Sequence, residues 1–331
     1  MGVFFYRKEY KGEITMKKVL KGITIGMAGL LLAACGSDEA TIDETETVKV
    51  GILQFMEHNS LSAAREGFED ELEKAGISVE FETMNAQGDQ SNLQSMSEQL
   101  SSNNDLLLTI ATPAAQAMAT VEQEKPVLFT AVTDAEDAGL VASNEAPGGN
   151  VTGTSDMVPI DEQIALLLSI VPDAQTIGIV YNSSEPNSEI QANLAIEALE
   201  ALGIQARVAT VTTTNDVQQV VTSIATEVDG LYIPTDNTLA STMATVGEVA
   251  REYQLPMVNG DAQQVEAGGL ATYGISYEEL GRQTALMALE IIQNGASPTE
   301  MAVQTSDKLE LTVNKEMAEA LGIDPATISV D

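Results

Sequence analysis

The chain has 331 residues, 44% of them hydrophobic, enough to bury a core in each of two domains. A formal net charge of −35, with no Lys/Arg cluster beyond the N-terminus, excludes a nucleic-acid interface. One cysteine and one histidine exclude a disulfide framework and a His/Cys metal centre, so no cofactor or metal is expected.

Lys17, Lys18 and Lys21 form a basic patch ahead of a short apolar core from Ile23 to Leu32. It ends in Leu32-Ala33-Ala34-Cys35-Gly36, which resembles the lipobox of bacterial lipoproteins. That resemblance implies cleavage before Cys35, acylation of its sulfur, and anchorage to the outer face of the cell membrane. Residues 1–34 are thus expected to be a signal peptide with an upstream extension before Met16. Residues 35–47, rich in Ser, Asp, Glu and Thr, are expected to be a flexible tether. No later apolar run reaches membrane length.

A strand is predicted from Val48 to Gln54, running into polar Glu57-His58-Asn59. A helix follows and stops at Gly76, where glycine suits the left-handed residue that ends helices. Then come a strand over Ser78–Thr83, a helix from Gly88-Asp89, an Asp-led apolar strand over Asp105–Ile110, a turn at Thr112-Pro113 opening a helix, and a Pro-led strand over Pro126–Phe129. From Thr176 the same order returns. Strand Thr176–Tyr181 runs into Asn182-Ser183-Ser184-Glu185, and a helix stops at Gly203. Strand Gln205–Val211, a helix near Asp216, the Asp-led strand Asp229–Ile233, the turn Thr235-Asp236-Asn237-Thr238 and the Pro-led strand Pro256–Val258 complete it. The repetition predicts two α/β lobes, each a doubly wound parallel sheet. In such sheets ligands sit beyond the C-terminal strand ends, which places a site between the lobes.

Nine short stretches also appear in family order: Ala63-Ala64-Arg65-Glu66-Gly67-Phe68, Asn85-Ala86-Gln87-Gly88-Asp89, Thr112-Pro113-Ala114-Ala115-Gln116, Phe129-Thr130-Ala131-Val132-Thr133-Asp134, Gly148-Gly149-Asn150-Val151-Thr152-Gly153, Tyr181 to Ser188, Pro234 to Thr238, Ala271-Thr272-Tyr273-Gly274 and Gly281-Arg282-Gln283-Thr284. Together, from Val48 to about Ile323, they resemble the substrate-binding lipoproteins of ABC transporters for tryptophan and tyrosine uptake, of the type I periplasmic-binding-protein fold. The resemblance implies two lobes joined by a three-crossing hinge: residues 48–154 plus 276–303, and 155–275 plus 304–331. Crossings are expected near 153–155, 274–276 and 303–306. It also implies an aromatic L-amino acid as ligand, an ABC permease as partner, and a monomer.

The polar strand ends nominate the cleft. In the first lobe these are Gln54, His58, Asn59, Thr112, Pro113, Ala114, Ala115, Thr133 and Asp134, followed by Ser155 and Asp156 at a crossing. In the second they are Asn182, Glu185, Asn187, Thr235, Asp236, Asn237, Asp261 and Tyr273. The Thr112 hydroxyl and free N–H groups at its helix start suit a carboxylate. Asp236 suits an amine, with Asp261, Glu185 and Asp134 behind it. Phe129 and Tyr232 are expected in the core.

No Gly-x-Ser-x-Gly elbow, phosphate loop, dinucleotide fingerprint or calcium loop appears, so an enzyme is not expected. The alternatives are a branched-chain amino acid or other small solute as ligand, and a ligand-sensing subunit for a membrane receptor as role.

Overall fold

Leu106–Ile110 and Val127–Val132 are apolar or Thr at every position and buried along their whole length, which requires cover on both faces of a sheet. The computed structural model describes residues 47–306 and 308–330 and builds two such sheets. The first half comprises β1 (Val48–Gln54), α1 (Asn59–Lys74), β2 (Val79–Asn85), α2 (Gln90–Asn103), β3 (Leu106–Ile110), α3 (Thr112–Val121), β4 (Val127–Val132) and β5 (Val151–Ser155). The second comprises α4 (Ile160–Ile170), β6 (Thr176–Asn182), α5 (Pro186–Ala201), β7 (Gln205–Val211), α6 (Val217–Ala225), β8 (Gly230–Ile233), α7 (Asn237–Ser241), α8 (Met243–Tyr253), β9 (Met257–Asn259), α9 (Ala262–Ala267) and β10 (Ala271–Gly274). After them come α10 (Tyr277–Asn294), β11 (Gln304–Thr305), β12 (Glu310–Val313) and α11 (Lys315–Ala320).

The first sheet runs β11-β5-β4-β3-β1-β2 and is parallel throughout. The second runs β12-β10-β9-β8-β6-β7 and is parallel except for β12, which is antiparallel to β10. The α/β class expected from the repeat is therefore present, two parallel-dominated sheets with flanking helices. In each sheet the chain reverses direction of winding between the first strand and the third, leaving a crevice at that switch point.

Three segments carry the chain between the sheets: β5 to α4, β10 to α10, and β11 to β12. Strand pairing carries the first sheet slightly further than the boundaries read from sequence. Ser155 pairs with Val132, and Gln304–Thr305 pair with Thr154–Ser155, because β11 lies parallel along β5. Helix α10 returns to the first sheet and packs on α1 through glycines. A methyl group on Gly281 would stand 1.8 Å from the Ala64 carbonyl oxygen, and one on Gly67 would stand 2.1 Å from that of Glu278.

Phe129 and Tyr232 lie fully in the core as expected, and the Tyr232 hydroxyl donates to Gln163 Oε1 at 3.0 Å. Among the described residues no helix is long and apolar enough to cross a membrane. The expected signal peptide, Cys35 and most of the tether lie outside the described residues.

Candidate ligand-binding cleft

Strands β8 and β9 are each followed by a short helix whose first N–H groups need acceptors, and the sequence supplies Asp236 and Asp261 there. Asp236 caps α7: its Oδ1 accepts from Leu239 N at 2.8 Å and its Oδ2 from Asn182 N at 2.7 Å. Asp261 caps α9, accepting from Gln264 N at 2.9 Å and Gln264 Nε2 at 3.0 Å. Glu185 accepts from the backbone N–H and side chains of Asn237 and Thr238. Asn182 ties this cluster together by donating to Thr238 Oγ1 at 2.8 Å.

The lobes meet directly at these caps. Ser60 Oγ, on the first turn of α1, donates to Asp261 Oδ1 at 3.0 Å. Gln191 Nε2, on α5, donates to Thr133 Oγ1 at 3.2 Å and also bonds Thr235 Oγ1. His58 Nε2 lies 3.2 Å from Asn237 Oδ1. Since Asn237 Nδ2 donates to Glu185 at 2.6 Å, its oxygen faces the imidazole, so Nε2 carries the proton and Nδ1 is bare. At the crossings the Tyr277 hydroxyl donates to Asp156 Oδ2 at 2.5 Å.

These bonds border a partly open cavity of about 10 Å³, the space of one water molecule. Apolar Leu61, Ala131 and Ala240 share its wall with the polar residues above. Ala131 holds a left-handed φ of 58°, a conformation that costs an alanine free energy and recurs where a fold positions a site.

Burial without a cation governs the charges. Asp261 is pushed up to about 6 by desolvation. Asp236 is likewise raised, by burial and by the neighbouring Glu185 carboxylate. Asp156 is raised by burial, against the Tyr277 hydrogen bond that favours its ionised form. His58 is lowered to about 4 by burial and so is neutral at physiological pH.

The structure brings His58, Asp156, Asn187, Thr235, Asp236, Asn237 and Asp261 to the cavity. Asn182 and Glu185 stand one hydrogen bond behind it, through Asp236 and Asn237, and Thr133 stands two behind, through Gln191 and Thr235. Ser155 locks its crossing by donating to the Thr133 carbonyl at 2.9 Å. Other nominated residues are employed elsewhere. Gln54 donates to the Met56 carbonyl at 2.8 Å and shapes the loop after β1. Asn59 is exposed, because it begins α1 on the outer side. Asp134 caps its own turn through Glu136 N and Asp137 N, both at 3.0 Å. Tyr273 is half-buried in β10, opposite Leu311 of β12, and does not line the cavity. At the start of α3, Ala114 and Ala115 already donate to the Ala111 carbonyl at 3.1 Å and Pro113 has no N–H. Of the anion site read there, only the Thr112 hydroxyl and N–H remain.

Sequence reasoning missed Ser60, Leu61, Ala131, Gln191, Ala240, Gln264 and Tyr277. Two left a signal. Gln264 stands three residues after the cap Asp261, the capping-box spacing, and Tyr277 follows a predicted crossing directly.

Comparison with known proteins agrees with this architecture. The family model for ABC transporter substrate binding proteins matches residues 49–329. A tyrosine-binding protein of Clostridioides difficile is 36% identical over 322 residues, covering 93% of each chain. A Streptococcus pneumoniae ABC domain solved in complex with L-Trp is 37% identical with a TM-score of 0.80, over 84% of this chain and 95% of that one. The ligand-free, open structure of a Clostridium difficile substrate-binding protein with adhesive properties is 41% identical over the same shares, yet its TM-score is 0.66. The chain belongs to the ABC transporter substrate-binding protein family.

Proposed function

We propose that this chain is the extracytoplasmic receptor of an ABC importer, that it carries an aromatic L-amino acid between its lobes, and that it performs no covalent chemistry. The observation that carries the ligand class is the pair of structural likenesses. The chain follows the L-Trp complex more closely than a more identical relative in its open, ligand-free form. Its own lobes are correspondingly closed, tied by Ser60–Asp261, His58–Asn237 and Gln191–Thr133. The relative named for tyrosine binding supports the same class. An amino acid that bridges a polar second-lobe wall and the first-lobe Leu61 and Ala131 stabilises closure only when both ends engage. Because the cavity is water-sized, the aromatic ring enters by separating these cross-lobe bonds.

Cys35 serves as the lipid anchor in this reading, supported by the Leu32-Ala33-Ala34-Cys35 sequence. Thermal shift against the twenty amino acids, followed by calorimetry with tryptophan, tyrosine and phenylalanine, tests the ligand. A rise in melting temperature confined to the aromatic three is expected. No shift with any of them, or a larger one with leucine, isoleucine or valine, rejects the assignment. Cys35→Ser should release the protein from the membrane or leave its precursor uncleaved.

A further inference from the structure

Four enclosed side-chain atoms without hydrogen-bond partners belong to residues lining the cavity: His58 Nδ1, Asp156 Oδ1, Asn187 Oδ1 and Gln264 Oε1. Their character is set by what the other end of each group does. Asn187 Nδ2 donates to the Thr235 carbonyl at 3.3 Å. Gln264 Nε2 donates to the Pro234 carbonyl at 3.2 Å and to Asp261 Oδ2 at 3.0 Å. Carbonyl and carboxylate oxygens only accept, so neither amide can turn over, and each keeps its oxygen free. Asp156 spends Oδ2 on the Tyr277 hydroxyl and keeps Oδ1. His58 Nδ1 is a bare lone pair, because the proton is on Nε2. All four free atoms are acceptors. Asp156, Asn187 and Gln264 are 3%, 7% and 1% exposed, so bulk solvent hardly reaches them.

At the other carboxylates of the cleft every oxygen already has a hydrogen-bond partner. Asp236 is committed to Leu239 N and Asn182 N, and Asp261 to Ser60 and Gln264. Glu185 is committed to Asn237 and Thr238. Lone acceptors in a buried site cost free energy until donors arrive, and a carboxylate brought there would meet only like partial charge. A group with three N–H donors and a positive charge is the complement. The cavity has the size of one such head.

We infer that Asp156 Oδ1, Asn187 Oδ1 and Gln264 Oε1 form a receptor for a primary ammonium group, one acceptor for each N–H. This inference rests on the amino-acid reading above and assigns the ligand's α-amino group to Asp156 rather than Asp236. Tyr277 is the positioning residue: its hydroxyl holds Oδ2 and thereby aims Oδ1. Both residues sit at crossings between the lobes, so a bound ammonium also ties the ligand to the segments about which the lobes turn. Burial that raises the Asp156 carboxyl is offset when the cation arrives, which restores the ionised form.

Calorimetry on wild type and Asp156→Asn tests this with tyrosine, tryptophan and their deaminated counterparts, in which hydrogen replaces the amine. The remaining amino acids and simple primary amines complete the panel. Wild type should prefer each amino acid over its deaminated form by about 100-fold, and Asp156→Asn should lose about 30-fold or more for the amine and little for the deaminated acid. Unchanged affinity, or an equal loss for both ligand sets, overturns the inference and leaves the three acceptors a structural role only. If no aromatic amino acid binds wild type, the ligand reading fails separately. The panel then decides: preference for any amine over its amine-free counterpart upholds the receptor, whereas binding of amine-free solutes only, or of none, overturns it. Should Asp156→Asn not fold by circular dichroism, Asn187→Ala carries the same comparison with an expected loss of about 5-fold.

Discussion

Asp236 and Asp261 show how a carboxylate read from sequence as a ligand contact becomes, in three dimensions, a helix cap whose oxygens are already bonded. Asp236→Ala should therefore act first on the fold. It removes the α7 cap and leaves Asn182 N–H buried without its 2.7 Å acceptor, an expected loss of about 1–3 kcal/mol in urea unfolding. Undiminished stability would return Asp236 to a purely ligand-binding role. Asp261 makes a pH prediction. Its folded value of about 6 exceeds the ordinary 3.8, so its contribution to stability is full below about pH 3.8 and is lost as pH rises through 6. His58, held down to about 4, acts oppositely and costs stability as pH falls from 6.5 toward 4. Comparing wild type with Asp261→Asn at pH 4 and pH 7.5 cancels the His58 part. The fall in stability across that span should shrink by about 2–3 kcal/mol in the variant. An identical span in both proteins would show that Asp261 keeps its ordinary value.

At the scale of elements, the first lobe depends on α10, a helix that follows the last parallel strand of the other sheet and returns to pack on α1. The two helices approach closely enough that the Ala64 carbonyl occupies the place of a Gly281 side chain. Gly281→Leu should force them apart and cost about 3 kcal/mol or more by urea unfolding. Leu286→Ala, on the exposed side of the same helix, should stay within about 0.5 kcal/mol. Equal effects at both positions would deny the close contact. Because α10 begins with Tyr277, displacement of the helix also moves the hydroxyl that holds Asp156.

For the whole molecule, the closed arrangement is held by a few hydrogen bonds, each worth about 1 kcal/mol net. Ser60→Ala removes the contact to Asp261 without touching either sheet. It should shift the unliganded protein toward open forms, seen as a larger radius of gyration in small-angle scattering, while saturating ligand restores the compact value. No change in scattering for the ligand-free variant would mean that closure does not depend on that bond.

The α/β class, the duplication and the family were legible in the sequence because they are carried by local, periodic signals. Gly76 and Gly203 end equivalent helices, Asp105 and Asp229 lead equivalent strands, and buried runs such as Leu106–Ile110 leave no polar face. Strand ends also nominated His58, Asp156, Asn187 and Asp261, since a parallel sheet sends its C-terminal ends to one crevice. Which atoms of those residues stay free was decided only by tertiary structure. Nothing local tells Asp156, which keeps a bare oxygen, from Asp236, whose oxygens are taken by N–H groups of Asn182 and Leu239. Ser60, Gln191 and Tyr277 enter for the same reason. Each meets its partner across 201, 58 or 121 residues of chain, and a hydrogen bond between lobes leaves no period in the sequence that makes it.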